Sequence, residues 1–126
     1  MILGIGCDIC NIERIEKVYG KYGKHFVDKY FSEREKKELV CKTKRDAEVL
    51  SKKFAAKEAL SKAFGTGIAK GVSWCEIEVL HKENGQPYIE LKGKTADIAN
   101  TIGAEKFWVS LSDDYPWAQA FVVIED

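Results

Sequence analysis

Two side chains one helical turn apart, Glu58 and Lys62, are the densest chemical signal in this 126-residue chain. They lie within Ser51 to Gly67, SKKFAAKEALSKAFGTG, a stretch dominated by strong helix formers. Spacing alone allows two readings. A Glu four residues before a Lys is a favourable surface pair worth about 0.3–0.5 kcal/mol. It is also how a carboxylate that holds a cation could sit beside an ammonium that neutralises phosphate oxygens. The second reading needs another carboxylate from elsewhere, and Asp8 is available.

The elements that must position these groups follow from patterning. Ala55, Ala59 and Ala63 fall with Phe54 on one stripe of a helix that Gly65 stops. So many alanines let another backbone or a ligand approach closely. Ile2 to Cys7 is short, β-branched and apolar, and predicts a buried strand with Asp8 at its end. Gly4 and Gly6 within it predict a bulge or a close backbone contact. Asn11 is an N-cap candidate for a helix that turns Ile12 and Ile15 inward and Arg14, Lys17, Lys21 and Lys24 outward, with Gly20 and Gly23 expected to end or interrupt it. That basic stripe is either a solvated face or a dock for an acidic helix. Ser32 to Glu35 matches a capping box for a short helix running towards Cys41, and Lys42 to Arg45 reads as a basic loop. Trp74–His81 and Pro87–Leu91 predict a hairpin about Asn84-Gly85. A short helix from Thr95 to Ile102 and strands at Lys106–Ser112 and Trp117–Ile124 complete the order. His25 and His81 read as surface residues. Strand, helices, hairpin, helix, hairpin is the order of an α+β fold, with an antiparallel sheet packed against one long and several short helices.

Length fits one domain, residues 1–126. Net charge is zero, yet Cys41 to Val72 carries eight Lys or Arg against three acids, and Asn100 to Asp126 carries one against five. The basic middle suits an anionic ligand or an acidic partner. Balanced overall charge argues against nucleic acid, and no apolar run could span a bilayer. The N-terminus lacks a basic region ahead of an apolar run, so a cytoplasmic protein is expected. Cys7 and Cys10 form a single CxxC without a second ligand pair, which favours reduced thiols over zinc.

Taken together, Gly4-Ile5-Gly6-Cys7-Asp8, Arg14-Ile15, Phe54 to Ala59, Lys62 to Gly67, Trp74, Ile77 to Val79, Gly85 to Pro87, Ser110 to Ser112 and Val122 to Glu125 resemble the bacterial holo-acyl-carrier-protein synthases. These are the small class of 4′-phosphopantetheinyl transferases, and the resemblance covers essentially the whole chain. It implies transfer of 4′-phosphopantetheine from coenzyme A to a serine of apo acyl carrier protein, in support of fatty acid biosynthesis, with Mg²⁺ as cofactor. It makes Asp8 and Glu58 metal ligands and Lys62 the lysine facing the diphosphate, the three forming the catalytic set. Arg45, Lys53, Lys62 and Gly65 are implied to contact coenzyme A. Arg14, Lys21 and Lys24 are implied to meet the acidic carrier protein. A homotrimer with active sites at subunit interfaces is implied as well.

The resemblance also brings out departures. Lys53 stands where an arginine is frequent, and Asp113 stands where relatives carry a histidine near the nucleotide phosphates. An aspartate there would repel a phosphate or gather a cation. Two rival readings therefore remain: a carrier-protein binder that has lost catalysis, and another Mg²⁺-dependent phosphoryl-transfer enzyme.

Overall fold

The computed structural model describes every residue from Met1 to Asp126. Strand β1 (Ile2–Asn11) leads into helices α1 (Ile12–Tyr22), α2 (Lys24–Tyr30) and α3 (Glu33–Lys36), then the long helix α4 (Thr43–Phe64). A single 3-10 turn (Trp74–Glu76) precedes strands β2 (Ile77–His81) and β3 (Pro87–Leu91). Helix α5 (Gly93–Thr101) and strands β4 (Lys106–Asp114) and β5 (Trp117–Glu125) close the chain. All strand pairs are antiparallel, but they form two sheets rather than one: β1-β5-β4 and β2-β3.

Helix α4 is the spine. Its alanines Ala55, Ala56 and Ala59, with Leu60, enter a core shared with both sheets and α5. Its earlier turns, through Ala47 and Leu50, join a second core with Ile12, Ile15, Phe26, Val27 and Phe31. The close approach expected of the alanines is made by β1. A Cβ on Gly6 or Gly4 would collide with the carbonyl oxygens of Ala59 and Ala63. Gly65 ends the helix in the left-handed region at φ 80°, with its N–H returned to the last turn.

Several expectations are corrected. Strand β1 runs on to Asn11, so Asp8 lies within it, opposite Ala120, and not at its end. Nor is β1 buried: Ile5 and Ile9 are well exposed on the face turned away from α4. Cys7 and Cys10 point to opposite faces of this strand, three residues or about 10 Å apart, beyond disulfide reach. The Thr43–Arg45 segment is the first turn of α4, and α3 stops at Lys36. Gly23 separates α1 from α2, so Lys24 belongs to a different helix from Arg14 and Lys21. His81 is half-buried, its ring Nδ1 2.8 Å from Glu38 Oε1. No helix is long and apolar enough to cross a membrane.

Candidate active site

Every second residue of β1 faces α4: Gly4, Gly6, Asp8, Cys10. The two glycines bring the helix backbone close, and Asp8 is the first of the row able to reach across. Its Oδ1 accepts a hydrogen bond from Lys62 Nζ at 2.8 Å, and the same ammonium donates to the Cys7 carbonyl at 3.2 Å. Glu58 lies one turn before Lys62 on α4, its carboxyl against that of Asp8. Burial, the Asp8 charge and a hydrogen bond between the two carboxyls raise Glu58 above the usual glutamate range, while Lys62 and Arg14 pull the other way. The hydrogen bond to Asp8 is the main reason Lys62 is raised in turn. A group able to exchange a proton thus sits beside a fixed positive charge.

The carboxylates open into a cleft of about 600 Å³ between β1, α1, α2 and α4. Arg14 lines it at the polar end, and Ile9, Tyr22, Phe26, Tyr30 and Phe54 line the rest. Phe54 stacks on Trp74 with ring centroids 4.6 Å apart, and Tyr30 packs edge-on against both. This aromatic wall escaped the sequence reading, as did His25, which reads as plain surface but lines the cleft. The density of aromatics from Tyr22 to Phe31 was the available signal.

No group of three or more His, Cys, Asp or Glu side chains converges to hold a metal by protein alone. The Asp8–Glu58 pair offers two hard oxygen ligands side by side. That set suits a Mg²⁺-type ion, which takes one or two carboxylates and fills its shell with water and phosphate oxygens.

The other expected residues are scattered. Lys21 and Lys24 are exposed, the latter 3.4 Å from Asp28. Arg45 is exposed in the first turn of α4, seventeen residues or about 25 Å along the helix from Lys62. Gly65 lies at the opposite end, just beyond Lys62. Lys53 requires a correction: it is fully buried, its ammonium paired with Glu38 Oε1 at 2.5 Å and donating to the Val79 carbonyl. Its charge is compensated inside the fold, not offered to a phosphate. Asp113 pairs with Lys52 Nζ at 3.0 Å, so its negative charge is compensated in place.

The 4′-phosphopantetheinyl transferase superfamily profile matches residues 4–120. The holo-[acyl-carrier-protein] synthase of Maricaulis maris is 45% identical over 129 residues, covering 99% of this chain and 90% of its own. The crystal structure of the Neisseria meningitidis holo-[acyl-carrier-protein] synthase superimposes with a TM-score of 0.88 at 34% identity, over 100% of both chains. The Helicobacter pylori synthase, crystallised in complex with coenzyme A, gives a TM-score of 0.81 at 29% identity, over 96% of this chain and 99% of that one. Matched by the superfamily over residues 4–120 and by relatives of this similarity over nearly its full length, the chain belongs to the holo-[acyl-carrier-protein] synthase family of 4′-phosphopantetheinyl transferases.

Proposed function

We propose that this chain moves 4′-phosphopantetheine from coenzyme A to a serine hydroxyl of apo acyl carrier protein, releasing adenosine 3′,5′-bisphosphate, in support of fatty acid biosynthesis. The observation that carries this reading is the meeting of Asp8 with Glu58 and Lys62, 50 and 54 residues further along the chain, with the two carboxylates lining one cleft. The serine oxygen bonds to the pantetheine-side phosphorus of the diphosphate as the bond to the nucleotide phosphate breaks. Such a transfer needs alignment and charge neutralisation more than covalent help. Lys62 supplies a positive charge to the departing phosphate. Glu58, its pKa raised by burial and by the Asp8 charge, is placed to take the serine proton. Asp8 and Glu58 would hold Mg²⁺, which when bound neutralises diphosphate charge. Arg14, with Lys21 and Lys24, would meet the acidic carrier, and the apolar cleft beside Arg14 gives that contact something to bury.

A homotrimer is the assembly this reading favours. On the sheet face turned away from α4, Ile5, Ile9, Trp108, Trp117 and Phe121 are between 44% and 60% exposed, more apolar surface than an isolated small domain usually leaves to water. Sharing sites between copies would also let Arg45 and Lys62, far apart on one helix, serve a single coenzyme A. Cytoplasmic residence follows from these substrates. The test is intact-mass analysis of apo carrier protein incubated with the chain, coenzyme A and Mg²⁺. One added phosphopantetheine per carrier is expected, and binding without any adduct would favour the non-catalytic alternative.

A further inference from the structure

Strand β2 has a free edge, because β3 pairs only with its other side. That edge is closed by side chains instead of backbone. Val79 N–H donates to Glu35 Oε2 at 3.2 Å, and His81 N–H donates to Glu38 Oε2 at 2.9 Å. Two carbonyls on the same edge receive lysines from α4: Ile77 from Lys57 at 2.6 Å, and Val79 from Lys53. Within this ladder the side chains pair with one another, Lys57 with Glu35 Oε1 at 2.6 Å and Lys53 with Glu38 Oε1 at 2.5 Å. Lys57, fully buried, gives its third hydrogen to the Trp74 carbonyl at 2.8 Å. Alternating carboxylates and ammoniums thus imitate the acceptor and donor pattern of a missing strand.

We propose that this ladder is a positioning device for the transfer reaction, with Lys57 as its principal residue; the proposal rests on the functional reading above. Lys57 immediately precedes Glu58, and successive helical residues point about 100° apart. Tethering Lys53 and Lys57 on consecutive turns to a strand edge prevents α4 from rolling about its axis. It therefore fixes where Glu58 points on the adjoining face. A roll of about 10° displaces a side-chain tip on a helix 10–12 Å wide by about 1 Å, and a 1 Å misplacement can cost about 10²-fold in rate. The bond to Trp74 extends the effect to the cleft wall, since Trp74 stacks on Phe54. If the ladder only sealed a strand edge, its loss would lower stability but leave the rate and metal affinity of the folded protein unchanged.

Lys57→Met keeps the stem and removes three donors. Combining it with Glu35→Leu removes both buried charges and so limits the loss of stability, but leaves the carbonyls unclasped. For the folded double variant we expect kcat to fall at least about tenfold, with KM for coenzyme A within about twofold of native. The Kd for Mn²⁺, measured calorimetrically without either substrate, should rise by a similar factor. Should these variants not fold, Glu38→Gln at the half-buried end decides the matter, with kcat and Mn²⁺ affinity each down about threefold. A folded double variant, or in its absence a Glu38→Gln variant, whose kcat and Mn²⁺ affinity match native values would overturn the proposal. A native chain that forms no adduct would defeat the functional reading instead, and the Mn²⁺ comparison would still judge the ladder.

Discussion

Helix α4 presents lysines and carboxylates on two flanks, and they behave differently. On the β2 flank, Lys57 and Glu35 are both fully buried, and each polar atom of the pair has partners. On the β1 flank, Lys62 is 53% exposed and its partner Asp8 12%, and Glu58 stands against Asp8 with its pKa raised. Each flank pairs a lysine of α4 with a carboxylate from an earlier element. What differs is saturation. The inner pair is complete in itself and holds elements together. The outer group keeps two carboxyls against one ammonium and faces a cleft, so it can accept a cation, a phosphate or a proton.

The contrast can be broken first on the inner flank. Glu35→Ala would leave the Lys57 ammonium buried without its counter-charge, a loss expected to reach about 3–5 kcal/mol, read as a large drop in denaturant midpoint. Lys62→Ala should cost under about 1 kcal/mol of stability, because exposed pairs contribute little. On the outer flank the effect is on rate. Asp8→Ala or Lys62→Ala should reduce phosphopantetheine transfer about 10²- to 10³-fold with the fold intact, checked by single-turnover assays beside circular dichroism. Equal losses of stability on both flanks would erase the distinction. The packing that sets the outer flank can be probed at Gly6, where a new methyl meets the Ala59 carbonyl. Gly6→Ala should cost about 1–3 kcal/mol and lower the rate by shifting Asp8.

The smallest effect is on pH dependence. A carboxyl whose pKa is raised on folding binds its proton more tightly in the folded state, so stability falls as pH rises through the raised pKa. Without metal, Glu58→Gln should remove this penalty and melt slightly higher than native at neutral pH, with no difference at a pH below the ordinary glutamate range. A lower melting temperature for the variant at neutral pH would mean that the Glu58 charge is stabilising.

The outer flank was legible in the sequence because its signals are local. The alternating G-x-G-x-D row and the KEA-x-x-K turn each fix their own geometry, and glycine opposite alanine brings the strand and the helix together. The inner flank was not legible. Lys53 and Lys57 sit in a lysine-rich stretch that reads as solvated. Their carboxylate partners lie more than a dozen residues away, and Glu35 is already accounted for by a capping box with Ser32. The start of α4 was missed for a related reason: Lys42 stands at its N-cap with no side-chain hydrogen bond. The split into two sheets and the length of β1 depend on long-range pairing with β5, which hydrophobic alternation does not reveal.

The central claim is that Glu58, held against Asp8 and beside Lys62, serves phosphopantetheine transfer directly. Its sharpest test is a time course of carrier-protein mass with coenzyme A and Mg²⁺, native chain against Glu58→Gln, which keeps the size of the side chain and removes its charge. The native chain should convert the carrier to the phosphopantetheinylated form while the variant leaves it unmodified. Conversion at equal rates would contradict the account.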